Sequence, residues 1–111
     1  MKPNWINIES VQQLNEILNN NSLKTKLFFK HSTRCSISSM ALKFFEQDWV
    51  NSEDVECYFI DLIAYRDVSN EIAKRTLIVH QSPQVIVLKG ESVVYDASHQ
   101  SIDAEKILNL I

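Results

Sequence analysis

The run Val85-Ile86-Val87-Leu88 constrains this chain more than any other feature. Four consecutive apolar residues, three of them β-branched, suit a strand buried on both faces. Pro83 stands just before the run and Gly90 just after it. The chain has only one glycine and two prolines, so both positions are informative. Proline cannot donate to a central ladder, so Pro83 marks the strand's entrance. Lys89-Gly90 reads as a tight turn, and Ser92 to Tyr95 returns as the second arm of a hairpin.

Upstream, helical and strand patterns alternate. Trp5-Ile6-Asn7-Ile8 suits a short edge strand. Ser10 is an N-cap for a helix to Asn19, with Val11, Leu14, Ile17 and Leu18 at helical spacing; Asn19-Asn20-Asn21-Ser22 breaks it. Leu27-Phe28-Phe29, flanked by Lys26 and Lys30, is a short buried strand, and His31-Ser32-Thr33-Arg34 a polar loop. A longer helix is expected from Cys35 to Val50. Ile37, Met40, Ala41, Phe44, Phe45 and Trp49 would form its broad face on the sheet, with Ser39, Lys43 and Glu46 opposite. Val55 to Ile60 is the next strand, and Asp67-Val68-Ser69 opens a helix to about Arg75. Ser101 or Asp103 starts a last helix carrying Ile102, Ile107, Leu108 and Ile111.

The order is β-α-β-α-β-α-β-β-α. It predicts one α/β domain over residues 1–111, a mostly parallel sheet with an antiparallel hairpin at one side and helices around it. That mixed sheet flanked by helices is the thioredoxin-like arrangement.

Charge and composition exclude several classes. The net charge of −3 comes without a basic stripe, which argues against a nucleic-acid partner. No apolar stretch approaches bilayer length, so no membrane partner is expected. Met1-Lys2-Pro3-Asn4-Trp5 lacks the apolar run of a signal peptide, so the expected location is cytoplasmic, and the expected state a monomer. Two cysteines are too few for a disulfide-stapled fold. His31, His80 and His99 are scattered and read as surface or loop residues, His80 near the rim of the site. His31 and Cys35 alone supply too few ligands, so no metal is expected.

Cys35 sits where a strand's loop meets the start of the longest helix. Strand carboxyl ends in open α/β sheets gather ligands. A helix N-terminus presents free N–H groups and partial positive charge, which favour thiolate over thiol. Arg34, with Lys30 or His31, would act in the same direction. Thiolate is the form that attacks a disulfide sulfur. Three residues on, where dithiol proteins carry a second cysteine, stands Ser38. It cannot resolve a mixed disulfide, but its hydroxyl or backbone N–H could donate to the Cys35 thiolate. The chemistry expected is therefore that of one catalytic cysteine. Cys57, on a strand face with Val55 and Phe59, reads as a buried structural residue. The residues alone leave the Ser82-Pro83 isomer open. A cis bond would aim the Ser82 backbone at the site, where it could pair with an extended peptide.

The stretch Lys30-His31-Ser32-Thr33-Arg34-Cys35-Ser36-Ile37-Ser38 resembles the active-site stretch of the YtxJ-like monothiol bacilliredoxins. So do Tyr65-Arg66-Asp67-Val68-Ser69-Asn70-Glu71-Ile72-Ala73 and His80-Gln81-Ser82-Pro83-Gln84-Val85, and Ser98-His99-Gln100-Ser101-Ile102 is similar to the family's closing segment. The resemblance implies a thioredoxin fold with cis Pro83 and an oxidoreductase that reduces mixed disulfides between proteins and bacillithiol. Cys35 would attack and accept bacillithiol. No bound cofactor is implied; bacillithiol is the thiol co-substrate and S-bacillithiolated proteins are the partners. Ser36, Ile37, Ser82 and Pro83 would line the substrate site, and Arg34, Arg66 or Lys30 would meet the carboxylates of the malate unit. Ser36 departs from the family's proline after the cysteine, which alters the first helical position.

Two other readings compete. An arsenate-reductase-like enzyme would need clustered arginines, and Arg34 is the only one beside the thiol in sequence. A redox sensor or docking protein would use Cys35 without turnover. Iron–sulfur carriage lacks the glycine-phenylalanine pair that such monothiol carriers show after the cysteine.

Overall fold

The computed structural model describes residues 3–20 and 24–111. Five strands and four helices follow the expected order. They are β1 (Ile6–Asn7), α1 (Val11–Leu18), β2 (Thr25–His31), α2 (Ser36–Asp48), β3 (Val55–Asp61), α3 (Arg66–Thr76), β4 (Gln84–Lys89), β5 (Ser92–Ser98) and α4 (Ala104–Leu108). The Ser10 hydroxyl accepts from the Gln13 N–H at 3.0 Å and starts α1 as expected. The break assigned to Asn21 and Ser22 lies outside the described residues. Asp103 caps α4 by accepting from the Glu105 and Lys106 N–H groups, while Ser101 closes a 3₁₀ turn.

The strands lie in the order β1-β3-β2-β4-β5. β1, β3 and β2 run parallel; β4 pairs antiparallel with both β2 and β5. The sheet is thus half parallel, not mostly parallel, and its centre is β2. The expectation gave β4 the central place because it is the most continuously apolar strand. β2 is buried along all seven residues despite Lys26, Lys30 and His31. The polar ends hid how far the strand extends.

Strand alternation divides the core into two layers. Phe28, Tyr58, Ile60, Ile86 and Leu88 face α1 and α3, meeting Leu14, Val68 and Ile72. Leu27, Phe29, Cys57, Val85 and Val87 face α2 and α4, meeting Phe45, Trp49 and Ile107. Phe45 stacks on Trp49 at 5.2 Å between centroids and meets Phe29 edge-on at 5.3 Å. Such aromatic pairs add about 0.5–1.5 kcal/mol beyond area burial.

The buried line of α2 is narrower than expected. Ser38, Phe45 and Trp49 are buried, whereas Ile37, Met40 and Phe44 are each more than half exposed. A helix turns about 100° per residue. The stripe is therefore centred one position later than the apolar content suggests, and the three apolar residues flank the sheet contact.

Candidate active site

Cys35 is the N-cap of α2, with an extended backbone at φ −114° and ψ 120°. Its N–H donates to the Ser32 carbonyl at 3.2 Å, and its carbonyl accepts the Ser39 N–H at 3.1 Å. The loop from β2 therefore delivers the sulfur to the helix end, half-buried, with no side-chain capping bond. Ser36, Ile37 and Arg34 around it are exposed.

Ser38 is fully buried beneath this end. Its Oγ accepts the Ser32 N–H at 3.0 Å and lies 2.7 Å from His31 Nδ1. The hydroxyl anticipated on the Cys35 thiolate is thus engaged by His31 and Ser32 in this structure. His31 was expected in a surface loop; it is instead the last residue of β2 and is buried. Burial holds its pKa below the ordinary 6.5, partly offset by Asp61, Glu46 and the contact with Ser38.

Lys30 points the other way. Successive strand residues face opposite sides, so its side chain enters the α3 layer and is wholly buried. Its Nζ donates to the Ser69 carbonyl at 3.0 Å and sits 3.3 Å from His80 Nδ1. The Ser69 hydroxyl also reaches that nitrogen, at 3.1 Å. A protonated lysine only donates, so His80 Nδ1 must accept. That fixes a neutral His80 with its proton on Nε2. Burial, then Lys30 and Arg66, hold the His80 pKa down. Lys30 is therefore neither beside Cys35 nor open to a substrate carboxylate, contrary to both expectations. Arg34 and Arg66 are exposed.

The Ser82–Pro83 peptide bond is cis. The approach to it is held from below: Gln84, buried, donates from Nε2 to the Val79 carbonyl at 2.9 Å, and its Oε1 accepts the Gln81 N–H at 3.4 Å. On the far side the His99 N–H donates to the Pro83 carbonyl at 3.0 Å, with His99 at φ +55°. The Ser82 hydroxyl oxygen is buried without a hydrogen-bond partner among the described residues.

Cys57 lies mid-strand in the α2-side core, and burial pushes its thiol up to about 12. It is a protonated thiol near neutral pH. Among the described residues, no three His, Cys, Asp or Glu side chains are grouped to hold a metal. No helix among them is long and apolar enough to cross a membrane.

Sequence reasoning missed two features. One is the buried Lys30–Ser69–His80 cluster, whose members lie 39 and 50 residues from Lys30 along the chain. The other is a groove of about 370 Å³ along the first turns of α2, lined by Ser36, Ile37, Met40, Phe44, His99 and Ile102. A signal for the groove was present in the three apolar residues that crowd one flank of α2.

The family model described as "Monothiol bacilliredoxin BrxC" matches residues 6–107. Among solved structures, a thioredoxin-fold protein described as a candidate oxidoreductase superposes with a TM-score of 0.80 at 28% identity, covering 95% of this chain and 91% of its own. Thioredoxin NaTrxh from Nicotiana alata superposes at 0.76 with 18% identity, covering 100% of this chain and 92% of its own. Fasciola hepatica thioredoxin gives 0.70 with 14% identity, over 100% and 96%. These two thioredoxins speak to the fold alone.

Proposed function

This chain belongs to the monothiol bacilliredoxin family of thioredoxin-fold oxidoreductases, and we propose that it reduces mixed disulfides between proteins and bacillithiol through Cys35. One observation carries the reading. The only thiol at the site is at a helix N-terminus, and the residue one turn on is a buried serine. The other cysteine, Cys57, is buried in the core, where its thiol is pushed up to about 12.

The reaction has two exchanges. The Cys35 thiolate attacks the bacillithiol sulfur of the protein mixed disulfide; a Cys35–bacillithiol bond forms and the protein thiolate leaves. A second bacillithiol thiolate attacks that bond, giving bacillithiol disulfide and regenerating the Cys35 thiolate. Bacillithiol is the co-substrate, S-bacillithiolated proteins are the partners, the setting is the cytoplasm, and the working form is a monomer. Arg34 and Arg66 would meet the malate carboxylates. Ser36, Ile37, Ser82 and Pro83 would contact the substrate around the sulfur, with the Ser82 backbone offered to an extended peptide. Ser38 lies buried beneath the helix end that carries the thiol, its hydroxyl held by His31 and Ser32.

The test follows intact mass after mixing reduced protein with a bacillithiolated substrate. Wild type should gain one bacillithiol and free the substrate thiol, and Cys35→Ala should do neither. No transfer from a folded, reduced wild type would refute the assignment.

A further inference from the structure

Resting on the reading of Cys35 as the attacking thiol, we propose that His31 is a positioning residue: through Ser38 it decides whether a hydroxyl proton is available to Cys35. The hydrogen-bonding capacity of Ser38 sets the choice. A serine hydroxyl has one proton to donate and two lone pairs to accept with. One lone pair of Ser38 is taken by the Ser32 N–H at 3.0 Å. The contact to His31 Nδ1 at 2.7 Å takes either the proton or the second lone pair.

Two arrangements result. When Nδ1 carries no proton, the Ser38 O–H donates to it and is spent. When Nδ1 is protonated, by imidazolium formation or by a change of tautomer, it donates to Ser38 Oγ. Both lone pairs are then filled and the O–H is released. Cys35 is the N-cap and Ser38 the third helical residue, the position whose side chain faces the N-cap residue at a helix start. The Cys35 side chain makes no capping bond, so its sulfur retains accepting capacity. The thiolate is the acceptor that the released proton would serve. Burial of Ser38 and His31 keeps water from taking over either role cheaply.

The charged groups acting on His31 are Asp61, at the end of β3, and Glu46, on α2. Both favour its protonation, and burial opposes it. The two arrangements are thereby brought closer in energy than burial alone would leave them. By reciprocity, a thiolate at Cys35 must favour the Nδ1–H form as much as that form favours the thiolate.

The test uses iodoacetamide, so it does not depend on bacillithiol. Cys35 alkylation rates are measured from pH 5 to 9 for wild type, His31→Leu and Ser38→Ala, and the imidazole nitrogens of wild type are followed by NMR. Wild type should depart from a single titration curve, alkylating on the order of tenfold faster below the His31 midpoint than extrapolation of the upper limb allows. Both variants should follow a single curve. In wild type, His31 Nδ1 should gain proton character as Cys35 ionises, and lose that response once Cys35 is alkylated. Persistence of the extra limb in Ser38→Ala would overturn the relay in favour of plain charge attraction. An Nδ1 signal indifferent to Cys35 would overturn it without any variant. If the relay holds but bacillithiol does not transfer, the proposed substrate fails and this inference stands.

Discussion

Replacing Lys30 by methionine separates the cost of a buried charge from the cost of a lost hydrogen bond. Burial pulls the Lys30 ammonium from its ordinary 10.5 to about 8. At 1.36 kcal/mol per pH unit, the charged form costs the folded state about 3 kcal/mol. The sign follows from proton counts. Between pH 8 and 10.5 the unfolded lysine holds a proton that the folded one has released, so stability rises with pH across that window. Below pH 8 the full cost is present. Methionine removes it but leaves the Ser69 carbonyl without its donor, a loss of about 1–3 kcal/mol. At pH 7 the two effects nearly offset, and the variant should lie between equal and about 2 kcal/mol more stable. The slope decides. In urea unfolding followed by tryptophan fluorescence, wild type should gain about 2–3 kcal/mol relative to Lys30→Met between pH 8 and 10. Cys57 and Tyr58, whose pKa values burial raises, oppose this trend in both proteins and cancel in the difference. Parallel curves for the two proteins would refute the reasoning.

Three further outcomes are expected. Iodoacetamide at pH 8 should modify one cysteine of the folded protein and two of the unfolded protein, since Cys57 is buried with its thiol pushed up to about 12; rapid double labelling of the native state would contradict its placement. Phe45→Ala should cost about 3–5 kcal/mol by urea unfolding, because the ring is buried among Trp5, Phe29 and Trp49. Gly90→Ala should cost about 1–2 kcal/mol through its φ of +60° alone, since nothing lies within 4 Å of an added Cβ; a larger loss would mean a contact that the turn does not show.

What the residues revealed, and what they concealed, follows from range. The pieces whose signals are local were legible: the Ser10 cap, the apolar run of β4, the strand–loop–helix placing of Cys35 and a hairpin turn at Gly90, although the turn residues are Gly90 and Glu91, one later than expected, because Lys89 still pairs with Ser92. The full length of β2 was concealed because Lys26, Lys30 and His31 look like solvent-facing ends. Their burial depends on partners supplied from elsewhere in the chain, and no periodicity carries that information. The groove along α2 was concealed for a related reason. Six apolar residues on α2 read as one wide core face, whereas the sheet covers only the line through Phe45 and Trp49.

The two misread residues of β2 account for how the site is held. Lys30 and His31 are adjacent, and strand alternation sends them to opposite layers. Lys30 reaches α3 and the segment leading to Pro83 through Ser69 and His80. His31 reaches the start of α2 through Ser38. A single strand end thus fixes both the start of α2 and the segment leading to Pro83, one by a buried imidazole and one by a buried cation. The consequences of changing them differ in kind. Loss of Lys30 should appear in stability between pH 8 and 10, where its own proton is released. Loss of His31 should appear in the pH profile of Cys35, because the group it orients is one hydroxyl away. Exchanging the two residues would place an ammonium against Ser38 and an imidazole against the Ser69 carbonyl. Neither replacement reproduces the accepting and donating pattern of the original, so both segments would lose their anchor at once.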